Sequence, residues 1–197
     1  MSGGIGRTAT GLALAAASYL GVRSGRLDRF DATCQAVLAS PMPRRFDPVV
    51  AVATDLGSSF GLAGVASVLA VAGRRRAAGR IGLAGGLAWV LAQGVKPALG
   101  RPRPYELGMS VRLVSPPAGS SWPSGHTAVT TAMAAGLAQA GGRRAATIMG
   151  VLAVGVGASR VAVGVHHATD VVAGAGVGLV AAALGDALLT RRRPPRR

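Results

Sequence analysis

All three histidines of the chain fall in two short polar islands set between long apolar stretches. One island reads Trp122-Pro123-Ser124-Gly125-His126-Thr127. The other opens with Ser159-Arg160 and, five residues later, continues as His166-His167-Ala168-Thr169-Asp170. A third island carries cations and no histidine: Lys96, then Arg101-Pro102-Arg103-Pro104. These residue types suit phosphate chemistry. A phosphate monoester is nearly a dianion at neutral pH. Arg103 and Arg160 offer it paired N–H donors, and Lys96 a compact charge. Ser124 and Gly125 stand where a helix is expected to begin, so their backbone N–H groups would face an anion above its N-terminus. His126 lies in the same first turn and, when protonated, donates to a leaving oxygen. His166 and Asp170 are spaced i, i+4, which puts them on one face if a helix begins near His166. A carboxylate there accepts the imidazole Nδ1–H and leaves Nε2 free to attack. The three cations would spread the charge that builds on the equatorial oxygens during transfer.

The elements that must position these islands are apolar. Six stretches stand out: Thr8 to Val22, Pro48 to Gly73, Ile81 to about Val95, His126 to about Gly142, Ala145 to about Val165, and Val171 to Leu189. Most approach the roughly 20 helical residues that cross a hydrocarbon core. Single spans must be helical, because buried backbone groups have to be satisfied internally. The expected architecture is therefore an all-α, polytopic membrane bundle of about six transmembrane helices, forming one domain over residues 1–190. The three islands then gather at one face. Arg23 to Asp47 mixes apolar and charged residues and reads as an interfacial helix followed by a loop bounded by Pro41 and Pro43. Met1 to Leu20 also has the look of a signal peptide; an uncleaved first span keeps the count even and is preferred.

Composition supports a membrane interior. Half the residues are hydrophobic but only 4% are aromatic, and Gly numbers 30. Ala, Val and Gly suit close helix–helix approach in a bilayer, and Gly82, Gly85, Gly86, Gly174, Gly176 and Gly178 read as packing faces. The net charge is +15. No basic amphipathic helix with interleaved aromatics is present, which argues against a nucleic-acid partner. The arginines are better explained by topology: Arg74, Arg75, Arg76 and Arg80, then Arg143 and Arg144, then Arg191, Arg192, Arg193, Arg196 and Arg197 follow the even-numbered stretches. The positive-inside rule makes that side cytoplasmic, with residues 191–197 a basic cytoplasmic tail and the islands extracytoplasmic. Arg23, Arg26, Arg29, Arg44 and Arg45 oppose this pattern. Cys34 is the single cysteine, so an intrachain disulfide and a cysteine-based metal site are both excluded; it is expected to be a buried free thiol.

Lys96-(six residues)-Arg103-Pro104, Pro123-Ser124-Gly125-His126 and Ser159-Arg160-(five residues)-His166-(three residues)-Asp170 resemble the three-block signature of the type 2 phosphatidic acid phosphatase family, relatives of the vanadium haloperoxidases. Every defined position is matched, in order and at the family spacing. The resemblance implies a metal-independent lipid phosphatase with no cofactor. Lys96, Arg103, Arg160, Ser124 and Gly125 would hold the phosphate. His166 would attack phosphorus to give a phosphohistidine, His126 would protonate the departing oxygen, and Asp170 would assist His166. The expected partners are the bilayer and a lipid phosphate: a polyprenyl (undecaprenyl) diphosphate first, with phosphatidylglycerol phosphate or a decaprenyl-phosphoryl sugar phosphate as alternatives. An Ala/Arg/Gly-rich, Lys-poor composition points to a high-GC bacterium, hence a cell-envelope role in the inner membrane. A catalytically silent scaffold is disfavoured by the intact signature, a haloperoxidase by the small size and six apolar stretches, and a transporter by polar residues confined to one face. His167, Arg101 and Glu106 hold no motif position and read as loop or solvated residues. Asp55 and Asp186 are intramembrane acids that invite either a functional role or pairing with an arginine near the membrane edge.

Overall fold

In the computed structural model, residues 2–38, 50 and 54–191 are described. Among them are seven α-helices: α1 (Ser2–Arg23), α2 (Asp28–Leu38), α3 (Ser59–Val71), α4 (Arg75–Val95), α5 (Gly125–Gln139), α6 (Arg143–Ala162) and α7 (Ala168–Arg191), with 3₁₀ turns at Asp55–Gly57 and Lys96–Ala98. Each of the six expected stretches contains an α-helix, although in the second a 3₁₀ turn at Asp55–Gly57 and a bend at Ser58 precede the helix that starts at Ser59. α2 occupies the segment read from sequence as an interfacial helix. The loop bounded by Pro41 and Pro43 and the tail beyond Arg191 lie outside the described residues.

α5 is the inner helix, packing against α4, α6 and α7, while α1 leans on α7 and α3 on α4. Its 15 residues rise only about 22 Å, short of a full crossing. α3 is shorter still, at 13 residues. Two helices, Arg143–Ala162 and Ala168–Thr190, are long and apolar enough to cross a membrane. The core is built from small residues. Ala84, Ala88, Ala92, Ala128, Ala132, Ala181 and Ala182 form one buried cluster where α4, α5 and α7 meet. A second cluster, Ile81, Val129, Met133, Leu137 and Met149, joins α4, α5 and α6. Gly178 sits so close to the Ala128 carbonyl, and Gly174 to that of Ser124, that a Cβ at either would collide. Gly176 faces Gly11 across α1–α7 in the same way. The expected packing face on α7 is present. On α4 only Gly85 meets a neighbour, Leu62, whereas Gly82 and Gly86 face open space.

The outward faces carry Leu12, Phe60, Val68, Val90, Val151, Val154 and Leu184, large apolar side chains left exposed along the helices. A soluble protein would bury a surface of that extent; lipid solvates it. α2 makes the same point by inversion. Its polar residues Asp31 and Gln35 are buried and its apolar Phe30, Val37 and Leu38 face outward. Cys34 is free and half-buried rather than buried, because α2 turns only one narrow face inward.

Candidate active site

The site forms where the α4–α5 loop meets the α6–α7 turn. The backbone stitches them together: Tyr105 N–H donates to Gly164 O, Leu113 N–H to Val163 O, and Ser124 N–H to Asp170 O at 2.9 Å. Gly57 lets the first 3₁₀ turn press on the start of α5, where a Cβ would come within 2.6 Å of His126 O. The result is a cavity of about 1130 Å³ lined by Lys96, Arg103, Gly125, His126, Arg160 and His166, together with Asp55 and Ser159. Leu56, Phe60, Trp89, Leu152 and Val156 make its apolar side. Six of the eight residues singled out by spacing thus line one cavity, and Asp170 lies directly behind His166.

The two arginines are buried, Arg103 to 1% and Arg160 to 3% exposure. Backbone carbonyls hold Arg103: Nη1 donates to Val165 O at 2.8 Å, and Nη2 to Ala118, Gly119 and Ser120 at 3.1–3.3 Å. Arg160 Nη1 donates to Thr54 Oγ1 at 3.1 Å. In both, Nε–H is buried with no partner among the described residues. A buried unpaired guanidinium donor is costly unless an anion completes it. Lys96 Nζ donates to Ser120 O at 2.6 Å. Burial, and then the charge of Arg103, lower the Lys96 ammonium to about 8.

Ser124, expected to contact the phosphate, also has a structural part. It is the N-cap of α5: its hydroxyl accepts from Thr127 N–H at 3.4 Å and from Thr127 Oγ1 at 3.0 Å. Its own N–H is used by Asp170 O. The free donors at this helix start are those of Gly125 and His126, which have no intrahelical partner by geometry.

His166 precedes α7 instead of opening it. α7 starts at Ala168, two residues later than the shared-face expectation needs. Asp170 still reaches back, with its Oδ2 3.5 Å from His166 Nδ1. That is a close electrostatic contact, longer than a hydrogen bond. The nearer donor to Oδ2 is His167 N–H at 2.8 Å, so Asp170 closes half a capping box on α7. Complete burial pushes the His166 imidazole down to about 4, against the opposing pull of Asp170. It is neutral at neutral pH, the form a nucleophile needs. His167 donates from Nε2 to Pro102 O at 3.2 Å; it is a loop histidine, as expected, but a buried one.

Arg101 is the residue that spacing missed. It is not a solvated side chain: Nη1 donates to Asp170 Oδ1 at 2.7 Å and Nη2 to Asp31 Oδ2 at 2.7 Å. Glu106, also unassigned from sequence, accepts from the Arg103 N–H at 2.7 Å. Asp186 pairs with Arg80 and, at 3.9 Å, with Arg7, at the end of the bundle far from the cavity. Asp55 lines the cavity.

A bundle with small-residue seams, lipid-facing apolar sides and a cationic cavity holding two histidines at one end is a membrane protein built to handle phosphate esters. The model of the PAP2 superfamily matches residues 77–193, and the chain belongs to that superfamily: it is a membrane lipid phosphate phosphatase. The fold is similar to that of the transmembrane PAP2-type phosphatidylglycerolphosphate phosphatase from Bacillus subtilis, with TM-score 0.76 at 24% identity over 100% of both chains. It is also similar to Aquifex aeolicus LpxE, with TM-score 0.69 at 25% identity over 78% of this chain and 92% of that one. No curated protein sequence matches.

Proposed function

We propose that the protein removes a terminal phosphate from an anionic lipid through a phosphohistidine on His166, with the site on the extracytoplasmic side. The observation that carries this reading is the single cavity in which two histidines face three cations, two of them with buried unpaired Nε–H donors. Lys96, Arg103 and Arg160 hold the phosphate with the N–H groups of Gly125 and His126. His166 Nε2 attacks phosphorus as the bond to the lipid oxygen breaks, and His126 gives its proton to that oxygen. A water activated by His126 then attacks the phosphohistidine, releasing inorganic phosphate and restoring His166. No metal ion enters these steps.

The first substrate candidate is a polyprenyl diphosphate. Three cations exceed the charge of one phosphate and leave attraction for a second. The apolar wall of Phe60, Trp89, Leu152 and Val156 suits a hydrocarbon chain. Phosphatidylglycerol phosphate is the second reading, favoured by the full-length likeness to the Bacillus subtilis enzyme. The extracytoplasmic placement rests on the arginines at the opposite end of the bundle.

The test is phosphate release by purified protein in detergent with EDTA, on undecaprenyl diphosphate, phosphatidylglycerol phosphate and phosphatidic acid. Each is run beside His166→Ala. Turnover that survives EDTA and disappears in the variant is expected, fastest on the diphosphate. Turnover undiminished in His166→Ala rejects the nucleophile. Labelling of single engineered cysteines at the two ends of the bundle in intact cells decides the side.

A further inference from the structure

Arg101 lies outside the signature blocks, yet it is the only arginine among the described residues that joins two buried carboxylates. Asp170 is fully buried and Asp31, from α2, is 2% exposed. Arg101 spans them with a 2.7 Å bond to each. Asp31 is held from the other side as well: Oδ1 accepts from Thr169 N–H at 2.9 Å and Oδ2 from Thr169 Oγ1 at 2.6 Å. Thr169 Oγ1 in turn accepts from Arg101 Nη1 at 2.8 Å. Gln35, one turn further along α2, donates to Val161 O at 3.0 Å and anchors the helix that carries Asp31.

Every atom of the Asp170 carboxylate is thereby committed. Oδ1 is fixed by Arg101, and Oδ2 accepts from His167 N–H while lying 3.5 Å from His166 Nδ1. Without Arg101 only the His167 N–H would hold the carboxylate, through Oδ2 alone, and Oδ1 would lose the contact that fixes its plane against the imidazole. Arg suits the post because its planar fork can contact two acids at once, which a lysine ammonium does only by leaving one contact long. Arg101 does not line the phosphate cavity.

From this geometry we infer that Arg101 and Asp31 are positioning residues for the reaction. α2 presents Asp31, Asp31 sets the Arg101 fork, and Arg101 clamps Asp170 in the orientation that aims His166 Nε2 at phosphorus. The inference rests on His166 being the nucleophile. It adds a fourth element to the three blocks: an interfacial helix that contributes through its buried polar face while its apolar face lies in lipid.

The experiment compares Asp31→Asn, Arg101→Met, Arg101→Lys and the Arg101→Met/Asp31→Asn pair in the full chain. Readouts are kcat, KM, the rapid-quench rate of phosphohistidine formation and inhibition by inorganic phosphate. Arg101→Met is expected to lower kcat and phosphoenzyme formation about 100-fold, the scale of a misplaced reacting group, with KM and the phosphate inhibition constant within about twofold because the phosphate ligands are untouched. Asp31→Asn should fall in between, and Arg101→Lys should recover part of the loss. The pair should be no worse than Arg101→Met alone, since residues acting as one unit are non-additive. If Arg101→Met does not fold, Asp31→Asn and Arg101→Lys carry the test. Unchanged kcat in Asp31→Asn, or a rise in KM and in the phosphate constant at constant kcat, overturns the inference. His166→Ala separates the two levels: a dead His166→Ala beside a fully active Asp31→Asn sinks the clamp alone, whereas an active His166→Ala sinks the nucleophile on which it rests.

Discussion

The two ends of the bundle use arginine in opposite ways. At the site end Arg103 and Arg160 are almost fully buried, and Arg101 nearly so; each is held by carbonyls, a hydroxyl or carboxylates. At the far end Arg74, Arg75, Arg76, Arg143 and Arg144 are exposed, and the ion pairs there among the described residues are those of Asp186 with Arg80 and Arg7. A cation at a membrane edge is well solvated and sets orientation with little demand on geometry. A buried cation must have its donors placed, and the few left over become binding capacity. Replacing residues at the two ends should therefore give very different effects.

The largest effect is expected at Arg103. Arg103→Ala removes a donor fork and leaves the carbonyls of Val165, Ala118, Gly119 and Ser120 without their partner. A loss of about 10²–10³ in kcat/KM is expected, the scale of removing a preorganised donor from developing charge. Arg103→Lys should recover little, because an ammonium cannot serve the carbonyls and the phosphate together. Steady-state kinetics on the best lipid checks both; recovery to near wild-type with lysine would mean that charge alone matters there. Arg143→Ala, at the other end, is expected to leave kcat/KM within about twofold.

Between the two ends lies the alanine and glycine seam, and breaking it should affect both. Gly178→Leu drives a side chain into the Ala128 carbonyl and Thr131. Overpacking of this kind costs about 1–3 kcal/mol, so the detergent-solubilised protein should melt several degrees lower. Gly86→Leu on α4, which faces open space, is the matched control and should melt normally.

A third prediction sharpens the electrostatic contrast. Lys96 sits at about 8 because burial and Arg103 disfavour its charge. As pH rises through that value the empty site loses one cation, so kcat/KM, which reports the free enzyme, should fall on the alkaline side of about pH 8. The sign follows from a lowered ammonium: charged and binding below, neutral and non-binding above. Lys96→Arg should move that limb beyond the measured range. His166 sets the opposite boundary. Its imidazole, held to about 4 by burial, stays neutral until strongly acidic pH, so no histidine limb near 6.5 from this residue is expected.

Much of this was legible in the sequence. His126, Arg160, His166 and their blocks were readable because one chemical task constrains residues at short range, and short spacing survives folding. Six apolar stretches announced the helices, since lipid demands length and hydrophobicity together. What escaped was long-range. The bond from Asp31 to Arg101 joins residues on separate elements, and no local spacing encodes it. A hint existed in α2, where Asp31 and Gln35 fall i, i+4 on a helix whose other faces carry Phe30, Val37 and Leu38, a polar stripe narrow enough to be the buried one. The structural part of Ser124 was hidden for another reason. As residue types go, an N-cap serine and a phosphate-binding serine look alike, and the cap on Thr127 and the Asp170 carbonyl on the Ser124 N–H become visible only in the fold. The start of α7 at Ala168, past His166, follows from the capping box that Asp170 makes with His167, which places the helix boundary at the cap rather than at the nucleophile.

The smallest effect is expected at Asp186. Its carboxylate is partly exposed and pairs with Arg80 and Arg7, tying α7 to α4 and α1 near the membrane edge as an intramembrane acid should when it has no role in chemistry. Partly exposed pairs contribute roughly 0–1 kcal/mol. Asp186→Asn should therefore shift melting by a degree or two at most, leave kcat and KM unchanged, and lose even that shift at high salt, where such pairs are screened. Its loss should also be absorbed within the far end, because Asp186 shares no partner with Asp170 or Asp31. A fall in kcat in Asp186→Asn would mean that the two ends are coupled through α7, and that the contrast between structural and chemical arginines does not hold along that helix.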